Sequence, residues 1–269
     1  MGQMTKPLER YALILEVLSR FPEGLSLTEI SGLAQLPKST THRIIKALVN
    51  IGYVSGGNGR VAYRLGPRLL RMMHFGEAPA WIGPLVEPSL RVLVQDFDET
   101  AFLAKLIGLE VRSVAMVLPK PTDRSYVHPG RVMPVNAAAS AKAIMASQPE
   151  ETVGQVLANQ PLAKYTPSTC VDSEELKRQY AQIRRAGHAL CIDELDPGVM
   201  SIAAPIQTEG IGTFYSVGLV GLQPRLSNFS RQNLVAGLRT ATESIAKLLR
   251  SRRTHPSHEA APSASGEDR

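Results

Sequence analysis

The 269-residue sequence contains two cysteines, Cys170 and Cys191. By themselves they are too few for a disulfide framework or a four-ligand zinc site; a reducing compartment keeps them as thiols, and we read both as packing residues. No CxxC or HExxH spacing joins Cys170, His188 and Cys191 into a metal site, so neither metal nor cofactor is expected. Long apolar runs are also missing, which excludes transmembrane helices. The opening segment MGQMTKPLERY lacks the apolar core of a signal peptide, and the protein is expected to be cytoplasmic. No internal repeat is visible. What is present is a globular composition, 43% hydrophobic and 20% charged with mean hydropathy −0.06, long enough for two domains.

Charge is unevenly placed. The net charge is +6, and residues 1–75 hold ten Lys and Arg against four Asp and Glu, leaving twenty against twenty in residues 76–269. The whole surplus lies in the first quarter. A basic module joined to a neutral one points to a polyanion-binding part and a part with another task; nucleic acid is the leading partner and a membrane surface the second.

Leu8, Tyr11, Ala12, Leu15 and Leu18 recur at helical spacing, which predicts a helix over 7–20. Ser26 followed by Glu29 is a capping box opening a short helix to about Ala34. After a tight turn at Gln35-Leu36, Pro37 opens a third helix whose apolar stripe is 41, 44, 45 and 48. Short strands at 52–55 and 61–65 flank Gly56-Gly57-Asn58-Gly59-Arg60, a hairpin composition, and a hairpin after a helix-turn-helix is a wing. The stripe must face the core, which leaves Lys38, Ser39, Thr40, His42, Arg43 and Lys46 on the other side. Arg there can fork to guanine and hydroxyls can donate or accept in the major groove, while Arg60 at the wing tip can reach the backbone or minor groove. Any one of these residues could equally be an ordinary solvated position. Two helices at the right separation, a glycine wing and localised charge together favour double-stranded DNA.

Helical sequence resumes over 66–76, and Glu77-Ala78-Pro79-Ala80 marks a boundary before a helix at 82–97. Strands are then expected at 100–107, 110–118, 189–192, 201–206 and 213–222, with helices at 137–147, 173–186 and 229–250. The stretch between the helices at 137–147 and 173–186 reads as polar. Between Ser201 and Leu222 the only charge is Glu209, yet Pro205, the glycines and a turn at 208–210 argue for two buried strands rather than a membrane span. Leu234, Leu238, Ile245, Leu248 and Leu249 form one face of the last helix. Residues from 251 have the composition of a disordered tail. Asn136 is a candidate N-cap for a run of tiny residues, a place where a carboxylate could approach backbone N–H groups; close helix-to-sheet packing explains the alanines equally well.

Several segments in order resemble the isocitrate-lyase-regulator (IclR) family of bacterial transcription factors: Leu27 to Arg43, Leu48 to Val54, Tyr63 to Leu70, Gly130 to Val135 with Ala141-Lys142-Ala143, Arg184 to His188, and Asp193 to Val199 with Ile202 to Pro205. The resemblance spans about residues 5–250. It implies an α+β protein: a winged helix-turn-helix (1–66), a linker helix (67–80), a GAF-like effector-binding domain with an antiparallel sheet (81–250), and the tail 251–269. It further implies a metabolite pocket at Ala139, Ser140, Cys191, Ser201, Gly218 and Val220. Members that bind small keto acids carry an acidic residue in place of Cys191 and serines in place of Gly218 and Val220, and the family's frequent histidine is Asn136. Fewer polar groups and more space suggest a bulkier, less polar effector such as an aromatic acid. Palindromic operators imply a homodimer or a dimer of dimers.

Two rivals belong to other classes: a metabolic enzyme with a basic appendage, and a protein-docking module. For the first, Ser140 with Lys142, or Cys191 with His188 and Asp193, can be picked out as nucleophile and base. Cys191 and Asp193 fall on one face of a strand, but no glycine elbow or oxyanion loop accompanies either set, so no catalytic residue is expected.

Overall fold

The computed structural model describes residues 7–21, 23–57, 62–74, 81–120, 126–208 and 212–251. Helix α1 (Pro7–Ser19) buries Ile14, Val17 and Leu18. In α2 (Leu27–Leu33) the capping box forms as expected: Glu29 N donates to Ser26 Oγ at 3.3 Å, and Ser26 N donates to Glu29 Oε2 at 2.8 Å. That second bond holds the Glu29 carboxyl below its ordinary pKa. Gln35 then takes a left-handed φ of 51°, which turns the chain sharply into Pro37 and α3 (Lys38–Asn50). The buried set of α3 is Thr41, Ile44, Ile45 and Leu48, the stripe the sequence predicts.

Strands β1 (Val54–Ser55) and β2 (Arg64–Leu65) pair antiparallel, shorter than expected because Gly52 and Gly56 take positive φ. Tyr63 bridges back to Leu25, so the hairpin is tied to the segment before α2. The wing tip at 58–61, with Arg60, lies outside the described residues. Helix α4 (Pro67–His74) follows; residues 75–80, expected to end the linker, also lie outside them.

The larger unit begins with α5 (Ile82–Phe97), then β3 (Thr100–Ile107), β4 (Glu110–Val117), α6 (Ala139–Met145), α7 (Glu150–Asn159), α8 (Ser173–Ala186), β5 (Ala189–Ile192), β6 (Val199–Thr208), β7 (Gly212–Leu222), α9 (Gln223–Leu226) and α10 (Arg231–Ser251). The five strands run antiparallel in the order β4-β3-β7-β6-β5. Helices α5 and α10 pack together on one face of this sheet, and α6, backed by α8, covers the other. The two main hydrophobic cores share no residue: one draws on residues 11–65, the other on residues from Trp81 onward, and a small third cluster joins Ala139 and Ala143 of α6 to Ala189, Cys191 and Ala203 of the sheet.

Two helices escape the sequence pattern. Among α7 residues only Val153 and Val156 are buried, too sparse a stripe to stand out, and α9 is a single turn with proline in it. Helix α10 starts two residues later than expected, because Ser230 Oγ accepts from Asn233 N at 3.2 Å while Phe229 packs edge-on against Phe97, ring centroids 5.1 Å apart. On α10, Leu248 is only partly buried, and Ala241 and Ala246 join the face instead. Among the described residues no helix is long and apolar enough to cross a membrane.

Candidate nucleic-acid interface and effector cavity

Helix α3 separates its two faces cleanly. Lys38, Ser39, His42, Arg43 and Lys46 are exposed and Thr40 is half-buried, so all six expected DNA-facing residues of this helix lie opposite the buried stripe. Among the described residues no side chain caps its N-terminus, which leaves first-turn N–H groups and their partial positive charge facing outward with Lys38 and Arg43. The other end of α3 is held from α4: Arg68 donates to Ile51 O at 3.4 Å and its guanidinium lies 5.8 Å from the Tyr53 ring centroid. Arg68 is therefore a cation that fixes the helix, a role the sequence did not assign it. Arg64, exposed on β2, adds a further positive group beside the wing.

In the larger unit, register gathers residues far apart in sequence. Cys191 pairs with Ser201, and Ser201 with Val220, so the three form one transverse row of the sheet; Gly218 lies two rows along, between Ala203 and Phe102. Over this face come the start of α6 and two loops. One loop, 126–133, is laced to β4 by Ser113 N to Arg131 O (2.9 Å) and Met133 N to Val111 O (2.7 Å). The other, 193–198, is held by Thr166 Oγ1 on Asp193 O and Thr169 Oγ1 on Glu194 O, at 2.5 and 2.6 Å.

These walls enclose a cavity lined from the sheet by Cys191, Ser201, Val220 and Phe102, from α6 by Ala139, and from the loops by residues including Tyr126, Met133 and Glu194. The enclosed space is about 30 Å³, room for a water molecule rather than an aromatic ring. Binding a ring requires the two loops to part, and Arg131 and Asp196, partly exposed and 3.7 Å apart, join them.

Four of the seven expected effector residues thus share one cavity; Asn136, Ser140 and Gly218 do not line it. Asn136 is not the N-cap of α6, a position held by Ala138 without a side-chain bond. Buried, it donates instead from Nδ2 to Ala163 O and Cys170 O, both at 2.9 Å, stapling the loop before α8 to the segment before α6. Ser140 is fully buried, its carbonyl accepting from Ser216 Oγ at 3.1 Å, and its own Oγ has no partner among the described residues. Asp193 does not share a strand face with Cys191: β5 ends at Ile192, and Asp193 takes φ 57° with its carboxylate accepting from Gly198 N at 2.5 Å. Burial pushes the Cys191 thiol far above its ordinary pKa, the opposite of an activated nucleophile. Lys142 is bonded to Glu194 and Gln179, not to Ser140.

Residues 82–247 match the family described as bacterial transcriptional regulator IclR C-terminal, and residues 7–56 match the IclR helix-turn-helix domain. The chain belongs to the IclR family. Similar proteins within it include the HTH-type transcriptional regulator TtgV of Pseudomonas putida, 34% identical over 221 residues that cover 82% of this chain and 83% of TtgV. XynR of Escherichia coli, also an HTH-type transcriptional regulator, is 30% identical over 86% of this chain and 93% of its own length. Among solved structures, an IclR homologue from Microbacterium hydrocarbonoxydans complexed with 4-hydroxybenzoate superposes with a TM-score of 0.58, at 26% identity, covering 91% of this chain and 99% of that one.

Against the IclR pattern, the glycine at 218 has a local cause. A Cβ there would stand 2.9 Å from the Phe102 ring, so the space expected at this position is filled by that ring, which in turn walls the cavity. Sequence reasoning missed Phe102, Met133 and Glu194 as cavity residues; the Asp193–Val199 motif was the one signal that pointed at the loop carrying Glu194. For Asn136 the geometry separates structure from binding. Asn136→Ala should cost about 1–3 kcal/mol, since two half-buried carbonyls lose their donor, while effector affinity changes little. Urea denaturation and titration of the same variant check both halves.

Proposed function

We propose that this IclR-family protein is a DNA-binding transcriptional regulator in which α3 reads the major groove, the wing touches the adjacent backbone, and the cavity of the larger unit binds the small molecule that controls DNA binding. The observation that carries the DNA half is the division of α3 into a buried apolar stripe and an exposed face of Lys38, Ser39, Thr40, His42, Arg43 and Lys46. One winged module makes too few contacts for tight specific binding, so the active species is a homodimer or a dimer of dimers on a palindromic site. Binding rather than catalysis is its task, in the cytoplasm where its DNA lies. Residues 1–66 serve the operator and 81–250 the effector, with the linker over 67–80, which contains α4, relaying occupancy between them.

For the effector, the walls of Phe102, Met133, Val220 and Ala139 suit an apolar body of aromatic type, and a structural relative was solved with 4-hydroxybenzoate, an aromatic acid. A mobility-shift assay with the gene's own upstream DNA, repeated across aromatic acids and keto acids, tests the whole reading. A shift that falls steeply with salt and responds to aromatic acids is expected, because neutralised phosphates release counterions. Response to glyoxylate or pyruvate alone overturns the effector class. Salt-insensitive association would favour a docking module, and turnover of a bound metabolite an enzyme.

A further inference from the structure

The cavity wall is apolar or small except for Tyr126, Glu194 and Asp196, and among the described residues no lysine or arginine side chain lines it. Asp196 is partly exposed and lies 3.7 Å from Arg131. Glu194 is deeper: its side chain is 14% exposed, and Oε2 accepts from Lys142 Nζ at 2.5 Å. Lys142, 2% exposed, also donates to Gln179 Oε1 at 2.8 Å and does not itself line the cavity. The ammonium therefore holds the carboxylate from outside, keeping a negative acceptor fixed on the cavity wall beside Cys191. Thr169, bonded to the Glu194 carbonyl, fixes the backbone as well.

An ionised carboxylate only accepts hydrogen bonds. In a space with so little water it attracts a hydroxyl or an N–H strongly and repels a second carboxylate, since like charges at close range in an apolar surround are costly. We infer that Glu194 is the specificity-determining residue of the cavity, selecting an effector that presents a hydrogen-bond donor, a phenolic hydroxyl or an amine, to its carboxylate while the apolar body lies against Phe102, Met133 and Val220. Any carboxylate on the effector points away from Glu194. Lys142 and Gln179 are positioning residues that act through it. This rests on the cavity being the effector site and adds which end of the effector that site recognises.

Calorimetric titration of the full chain with 4-hydroxybenzoate, phenol and benzoate tests the assignment. The first two should bind at least tenfold more tightly than benzoate, which lacks the donor. The double variant Lys142→Met/Glu194→Leu removes both charges together, leaving neither buried alone, and should bind 4-hydroxybenzoate and benzoate equally. Equal affinities in the unaltered chain, or an undiminished preference for 4-hydroxybenzoate in the double variant, would overturn the role of Glu194 while leaving the cavity as the binding site. Binding that survives Ser201→Trp, which fills the cavity, places the ligand elsewhere and overturns the reading of the cavity itself. No binding of any of the three overturns both.

Discussion

Arg43→Ala should weaken binding to the operator by about 1–3 kcal/mol per half-site, roughly five- to a hundred-and-fiftyfold, and flatten the preference for the cognate sequence. Arg43 lies on the second turn of α3, exposed, and among the described residues no hydrogen bond or ion pair ties it to the rest of the chain. Its planar fork is thus available for a base edge, the one bidentate match to guanine that this face offers. In a dimer the loss is taken twice. Because the guanidinium supports nothing inside the fold, thermal stability and effector titration should stay as they were. Lys46→Ala is the internal comparison: a lysine that neutralises a phosphate should weaken all sequences alike and lower the salt slope by about one, without flattening the preference. Footprinting of the Arg43 variant at fixed salt reads the difference, and an unchanged footprint contradicts the assignment of α3 as the reading helix.

The elements legible in the sequence were those whose signal is local. The α2 cap needs only Ser26 and Glu29, three residues apart, and the α3 stripe needs only the 3.6-residue period at 41, 44, 45 and 48. Helix α8 was placed to the residue because both ends carry their own chemistry: Asp172 accepts from Glu175 N at 2.7 Å at the start, and Gly187 takes φ 74° at the end. Helix α7 has no such punctuation and a weak stripe, so composition alone misnamed it as a polar stretch.

The site divides along the same line. That Cys191, Ser201 and Val220 stand side by side is a matter of strand register, and the sequence reached it only through the family's pattern. Gly218 shows how pattern misleads: a missing side chain reads as empty space, yet the Phe102 ring, 116 positions earlier in the chain, occupies it. Asn136 misled differently. A short amide before a helix is the usual mark of a cap, but the partners that claimed it, Ala163 O and Cys170 O, come from a loop with no periodic signal. Long-range polar pairs leave no local trace, and for that reason the Lys142–Glu194 pair was the largest feature of the cavity that the sequence withheld.

That pair carries the second large effect. Lys142→Met should destabilise the larger unit by about 3–5 kcal/mol, because the buried lysine is replaced by a side chain of similar length and the Glu194 carboxylate, mostly out of water, loses its partner. Gln179 is left without its donor at the same time. The penalty comes from the orphaned charge rather than from any net strength of the pair, so Lys142→Met/Glu194→Leu should recover most of the stability. Urea denaturation of the unaltered chain and both variants measures this, with the transition of the larger unit shifting to lower denaturant in the single variant and returning in the double. If the single variant proves as stable as the unaltered chain at neutral pH, the carboxylate is solvated or re-paired, and Glu194 cannot be the fixed acceptor that the cavity's selectivity for a donor-bearing effector requires.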